Sequence, residues 1–354
     1  MKGHLITLGG ESRQITTSVL RELIDSSAKF WLDLEGMDEQ TAQALLRDTF
    51  GFHPLAIEDT ERFGQRPKID NYGAYALLVV YGVTAASSLV EVHCYRTENY
   101  LVTVHHDPCP ELTNLGERLR RGAGLSADQL MLLYRVMDTL VDGYFPVLES
   151  LDDDIDDLED AILAYPTEEQ LGRLFDMKRS LIAIRKVVTP QRDMLATLAT
   201  GQFVLPGMTP QVEPYFRGLY DHLIRISDLV DSYRDLISGA QDTHLSTVSN
   251  RLNVVMKQLT IIATIFLPLS FLTGFLGQNF GWMIAHLASL PVFLAVGIGL
   301  QILVVAALVL LFRQRGWLGS NGTVPSATPA KRRRVPRHKR WHLLHGIGSQ
   351  PVHT

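Results

Sequence analysis

Residues 253–279 read NVVMKQLTIIATIFLPLSFLTGFLGQN, and this stretch decides the architecture. From Leu259 to Leu276 about 18 consecutive positions carry no charge, close to the ~20 residues a helix needs to cross the hydrocarbon core of a bilayer. A second uncharged run, 291–312, is also long enough to span. Together they predict a transmembrane hairpin: a first helix at 259–276, an outer loop at 277–290 and a second helix at 291–312. Arg251 and Lys257 precede the first run and Arg313 and Arg315 follow the second, so the positive-inside bias places both termini in the cytoplasm of a cell-membrane protein.

Working upstream, Pro214 opens a helical pattern that meets no further proline until Pro268. At 1.5 Å per residue the stretch 214–276 would reach about 95 Å, so 214–258 is expected to be a cytoplasmic stalk continuous with the first span. Phe216, Leu219, Leu223, Ile226, Val230, Tyr233, Ile237 and Ala240 recur three and four apart, the spacing of a coiled-coil seam. The step then becomes four through His244, Val248 and Leu252, a stutter that should straighten the supercoil towards the membrane.

A second stripe lies on the same helix. Asp221, Asp228, Asp235 and Asp242 fall at sevens, and the face continues through Ser249, Asn253, Met256, Leu259 or Thr260, Ala263, Leu267, Ser270 and Gly274 towards Asn279. In a single chain this is a polar face; around a symmetry axis each position becomes a ring, as in cation pathways. Asp221, Asp228 and Asp235 are candidate metal contacts, and Asp242 to Gly274 along the stripe are candidate pore-lining residues. The order runs from acid, to amide and hydroxyl, to an apolar constriction at Met256 and Leu259 that can gate by dewetting. Weak oxygen acceptors suit Mg²⁺, which gives up its water reluctantly.

The remainder reads as α+β: a cytoplasmic mixed α/β domain, a helical hairpin and the long stalk helix leading into the two-helix transmembrane hairpin. Over 1–125 the runs HLITL, AKFWLDL, AYALLVVYGV, SLVEVHCYRT and NYLVTVHH are β-branched or aromatic and bounded by turn residues. Asp38 caps a helical pattern between them. Over 126–200, capping boxes at Ser126-x-x-Gln129 and Thr167-x-x-Gln170 open two helices that meet at Pro166, with Pro146 expected to kink or divide the first. Acidic residues crowd 152–160, where a solvated face competes with a cation-concentrating role. The tail, 319–354, carries KRRRVPRHKR, is expected to be disordered, and is read as a contact to anionic lipid rather than to nucleic acid.

The first span LTIIATIFLPLSF, its Gly-x-Asn end, and a second span closing on Arg313-x-x-Gly316-Trp317-Leu318 resemble the CorA family of divalent cation channels. The likeness continues through HPLAIED at 53–59, QRPK at 65–68 and PYFRGLYDH at 214–222. The resemblance implies a homopentamer with first spans around the pore and Gly277, Gln278 and Asn279 as the selectivity motif at its outer mouth. It implies no cofactor, with Mg²⁺ as the transported ion and Co²⁺ or Ni²⁺ as further candidates. Gln278 stands where the family signature has Met, and the zinc-transporting branch also varies this middle residue. Met283-Ile284-Ala285-His286 replaces the family's acidic Met-Pro-Glu-Leu, and Gly218 occupies the stalk position of the family's regulatory carboxylate. Inhibition by intracellular Mg²⁺ is therefore expected to be weaker or to use Asp221 and Asp228.

Composition narrows the alternatives. No phosphate-cradling GxxxxGK[ST] and no His-Glu-x-x-His occurs in the 354 residues, so neither an enzyme nor an ATP-driven pump is expected. Cys94 and Cys109, the only cysteines, fit free buried thiols in a reducing compartment. MKGHLITLGG lacks the apolar core of a signal peptide. Two other readings stay open: a Zn²⁺ transporter of the same superfamily, with His244 and His286 as lone candidate ligands, and a membrane-anchored metal sensor that does not conduct.

Overall fold

The structure, a computed structural model, describes residues 2–7, 16–36, 39–85, 87–121, 129–205, 207–278, 281–282, 286 and 289–317. The expected cap Asp38, Ser126 of the first capping box, Asn279, Met283, Ile284, Ala285 and the basic tail over 319–354 lie outside the described residues. The chain divides into two compact units, 1–159 with 168–241 and 160–167 with 242–354.

In the first unit every expected strand forms: β1 (Lys2–Thr7), β2 (Phe30–Glu35), β4 (Tyr75–Val83), β5 (Leu89–Thr97) and β6 (Tyr100–His105), joined by a short β3 (Lys68–Asn71). The sheet order is β1-β2-β6-β5-β4-β3. The β2–β6 pair is parallel and the others are antiparallel. β4 and β5 form the expected hairpin, closing at Val83 opposite Leu89.

Three helices cover one face: α1 (Thr17–Asp25) and α3 (Pro54–Glu61), not anticipated as helices, and α2 (Glu39–Asp48), the helical pattern expected after Asp38. Leu20, Leu23, Leu46, Ala56 and Ile57 pack there against Phe30, Leu32, Leu34, Leu77 and Tyr95. α1 escapes a periodicity reading because it is nine residues long and buries only Leu20 and Leu23. The HPLAIED motif is α3 itself, with His53 Nδ1 accepting from the Leu55 N–H at 3.2 Å. Across the sheet, α4 (Pro110–Arg120) and α5 (Gln129–Asp142) cover the other face. α5, expected in the helical region over 126–200, lies on β4, β5 and β6, and Gly82 permits it: a Cβ there would sit 2.7 Å from Leu140 Cδ2.

The helical division differs from expectation in one place. α5 ends at Asp142 and α6 (Tyr144–Ala164) begins just past Gly143, so the break precedes Pro146. Pro146 then occupies the first turn of α6, where its missing N–H needs no partner. The hairpin turn falls at Pro166 as expected, before α7 (Glu168–Ala199). On α6, Leu148, Ile155, Leu158 and Ile162 are buried, and Asp153, Asp154, Asp156 and Asp157 are exposed.

α8 (Glu213–Leu276) is one helix over the expected stalk and first span. Its predicted coiled-coil seam needs correction. Phe216, Leu219, Leu223, Ile226, Val230, Ile237 and Ala240 are already buried in the single chain. In the first unit Tyr134 packs against Tyr215 and Phe216, Arg185 pairs with Asp231 at 3.0 Å, and Lys178 Nζ donates to Ser238 Oγ at 3.2 Å. The seam is therefore the face α8 lays on its own α5 and α7, because a three-and-four spacing specifies a helix-packing face without specifying whose helix fills it.

In the second unit the membrane-facing part of α8 is accompanied by α9 (Leu300–Gln314), led in by a turn at Leu290–Val292 and a π-helical segment, Phe293–Gly299.

Candidate functional site

Along the first unit, Asp221, Asp228 and Asp235 stand exposed on α8, about half a turn from the buried seam. Asp235 lies 3.5 Å from Arg234, while the neighbouring Asp231, off this stripe, is held by Arg185 at 3.0 Å and Arg234 at 3.6 Å. None of the three stripe carboxylates meets two further ligand groups among the described residues.

The group that does converge was not expected from sequence spacing. Asp138 and Asp142, one turn apart on α5, and His222 on α8 place ligand atoms within 4.8 Å of one another. His222 Nδ1 lies 3.6 Å from Asp142 Oδ1. Burial, then the Asp142 charge, pushes the Asp138 carboxyl above the usual carboxylate range. The Asp142 partner raises the His222 imidazole against the effect of burial. Two carboxylates whose charges oppose each other beside an imidazole form a donor set that a divalent cation can bridge. An Asp-x-x-x-Asp pair on a predicted helix was the available signal; the histidine joins it only because α8 folds onto α5.

Asp242 and the rest of the stripe belong to the second unit. Asp242, Ser249, Asn253, Met256, Leu259, Ala263, Leu267, Ser270 and Gly274 are all exposed in the single chain, Met256 and Leu259 at 60% and 59% and Leu267 at 74%. The partly covered positions are Val254, Lys257, Ile261, Thr264, Ile265, Pro268, Leu269, Leu272 and Leu276. At 100° per residue these lie about half a turn from the stripe. Lys257 Nζ, on the partly covered side, donates to the Gly316 carbonyl at 3.5 Å, and Gln301 Nε2 donates at 3.3 Å to Oγ1 of Thr273, an exposed residue on the flank between that side and the stripe. The contacts from the second span thus run along the partly covered side and its flank and leave the stripe-bearing face open. α8 and the continuous helical stretch Leu290–Gln314 are each long and apolar enough to cross a bilayer, and neither apolar window is buried within the chain, unlike a soluble core helix.

Below the span the α6–α7 turn is latched to α8. The Arg251 guanidinium lies 4.1 Å over the Tyr165 ring and donates to the Ala164 carbonyl at 2.8 Å. His244 donates through Nε2 to the Thr167 carbonyl at 3.0 Å. At the outer end α8 stops at Leu276, the Gly277 N–H reaching the Thr273 carbonyl at 2.9 Å and the Gln278 N–H reaching Phe275 at 3.3 Å. Gly277 is tight, since a Cβ would come within 3.1 Å of the Thr273 carbonyl oxygen. His286 donates from Nδ1 to the Trp282 carbonyl at 2.9 Å and stacks on that indole. Both lone histidines considered for zinc thus spend a ring nitrogen on a backbone carbonyl, and neither meets two other ligand groups among the described residues.

A helix that exposes an acid-to-amide stripe, enters the membrane apolar and ends in Gly277-Gln278 is the arrangement the motifs resemble, and comparison with known families decides the matter. The profile of the family described as CorA-like Mg²⁺ transporter protein matches residues 27–314. The chain belongs to the CorA family.

Among its relatives, the cobalt/magnesium transport protein CorA of Thermotoga maritima is 35% identical over 87% of this chain and 90% of its own length. The zinc transport protein ZntB of an Enterobacter species is 28% identical over 73% of this chain and 80% of its own. The fold matches that of the CorA magnesium transporter from Methanocaldococcus jannaschii, with a TM-score of 0.73 at 22% identity over 82% of this chain and 92% of the other. As a CorA-family member the chain is a membrane transporter of divalent cations and not an enzyme.

Proposed function

We propose that the chain forms a homopentameric, passive channel for Mg²⁺ uptake across the cell membrane, with both termini in the cytoplasm. The observation that carries this reading is the exposed stripe from Asp242 to Gly274, about half a turn from the partly covered side of α8. Five such faces around an axis would present rings of Asp242, Ser249 and Asn253 to a hydrated cation. Met256 and Leu259 would then form an apolar constriction that gates by dewetting. Ala263, Leu267, Ser270 and Gly274 would line the rest, up to a selectivity motif at Gly277, Gln278 and Asn279. A doubly charged ion moving inward would gain about 4.6 kcal/mol per 100 mV of membrane potential, twice the ~2.3 for one charge, so no chemical fuel is needed. Asp221, Asp228 and Asp235 would collect cations at the cytoplasmic end. Nucleic acid has no part in this reading; the basic tail would meet the lipid surface.

Zn²⁺ is the second reading, favoured by the likeness to ZntB. The experiment that separates them is uptake into proteoliposomes with Mg²⁺ or Zn²⁺, with and without an imposed potential and pH gradient, alongside Asn279→Ala. Potential-driven Mg²⁺ uptake that the substitution abolishes is the expected result. Zn²⁺ uptake following the pH gradient would replace Mg²⁺ by Zn²⁺, and the absence of flux with either ion would leave a non-conducting sensor.

A further inference from the structure

Between 291 and 312 the second span carries a single side chain able to hydrogen-bond, Gln301. A carboxamide in hydrocarbon is costly without a partner and calls for a reason. Its Nε2 donates to Thr273 Oγ1 at 3.3 Å, and that hydroxyl in turn donates to the Leu269 carbonyl at 2.8 Å. The backbone carbonyl of the same threonine receives the Gly277 N–H at 2.9 Å. Gln301 therefore grips the residue on which the last turn of α8 closes.

Two further observations point the same way. A further polar link at the inner end runs from Lys257 to Gly316, just past α9. About 16 residues separate Lys257 from Thr273 and about 15 separate Gln301 from Gly316, or roughly 24 and 22 Å of helix. The two links thus agree on one antiparallel register. The π-helical segment Phe293–Gly299 ends just before Gln301; a π turn takes up extra residues and re-aims the side chains that follow it, and such segments recur at functional sites.

We propose that Gln301 is a positioning residue for the outer mouth. By holding Thr273 it sets the final turn of the pore helix, and so the place where Gly277 and Gln278 meet the entering ion, without touching the ion itself. Ion preference then depends on a residue of the second span. This rests on the outer-mouth reading above.

The test uses the full chain in proteoliposomes, comparing Gln301→Leu, Thr273→Val, Thr273→Ser and the Gln301→Leu, Thr273→Val pair, with Asn279→Ala as reference. The readouts are the Mg²⁺ concentration for half-maximal uptake, the maximal rate and the Mg²⁺-to-Zn²⁺ uptake ratio. Gln301→Leu and Thr273→Val are each expected to shift the half-maximal concentration or the ratio by about three- to twenty-fold, the span seen for polar links between membrane helices. Thr273→Ser should behave as the parent, and the double substitution should be no worse than the more severe single one. If Gln301→Leu does not assemble, Gln301→Asn, one methylene shorter, should shift the ratio in the same sense. Parent-like ratio and half-maximal concentration in Gln301→Leu, or additive effects in the double variant, would overturn the inference while an Asn279→Ala effect left the mouth reading standing. An Asn279→Ala variant identical to the parent would overturn the mouth reading and this inference with it.

Discussion

Replacing Gln191 with leucine should loosen the sheet at one identifiable amide. Gln191 is 1% exposed on α7, and its carboxamide embraces the backbone of Tyr81, Oε1 accepting the N–H at 2.6 Å and Nε2 donating to the carbonyl at 3.2 Å. β3 stops pairing with β4 at Lys68 opposite Val79, so beyond that point the side chain substitutes for a missing strand. Leucine would fill the volume but leave the Tyr81 N–H buried without an acceptor, while the carbonyl keeps the Tyr144 hydroxyl at 3.3 Å. An orphaned buried donor costs ~1–3 kcal/mol and the second lost bond ~0.5–1.5, giving about 1.5–4.5 kcal/mol in all. At about 1.4 kcal/mol per tenfold, the opening equilibrium at Tyr81 should rise roughly 10- to 1,600-fold. Hydrogen exchange read by mass spectrometry on the detergent-solubilised full chain reports this directly in peptides covering β4. Exchange there within about three-fold of the parent would refute the idea that Gln191 completes the edge of β4.

Met256→Asn would place an amide in the proposed constriction and should raise resting Mg²⁺ leak in proteoliposomes on the order of tenfold; unchanged leak would remove Met256 from the gate. Asp142→Ala should weaken Mn²⁺ binding at the Asp138, Asp142 and His222 group on the order of tenfold, followed by electron paramagnetic resonance of the titrated protein. In the sheet, burial pushes the His105 imidazole down, but the Asp33 carboxylate 3.3 Å from its Nε2, with the Asp107 carbonyl at Nδ1, outweighs it and raises it above its ordinary value. The pair's stabilisation is thus fully present below about pH 6.5 and lost as pH rises through the raised folded value. The thermal midpoint should fall over that rise in the parent and lose the slope in His105→Gln. Burial also pushes the Cys94 thiol up, and the Cys109 thiol up to about 12. Neither thiol should react with Ellman's reagent at pH 8 in the folded protein, and both should react after unfolding.

Elements whose signal is local are legible in the amino-acid order alone. Five strands, the β4–β5 hairpin, the Pro166 turn and the continuity of α8 follow from alternation, turn residues and helical spacing, and the fold contains each of them. The break at Gly143 instead of Pro146 shows the limit of one-residue rules, since proline in a first turn starts a helix as readily as proline in the middle breaks one.

The chain by itself determined which residues share a face of α8, because 3.6 residues per turn is a property of the backbone and needs no neighbour. It also marked the two apolar spans, because the length of an uncharged run can be set directly against the thickness of a bilayer. Only the tertiary structure decided what each face meets. The seam from Phe216 to Ala240 is filled by α5 and α7 of the same chain, His222 joins Asp138 and Asp142, Gln191 reaches Tyr81, and Gln301 reaches Thr273. Each of these joins residues far apart in sequence, and periodicity carries no information about them: a helical pattern states that a face must be covered, and packing chooses the partner.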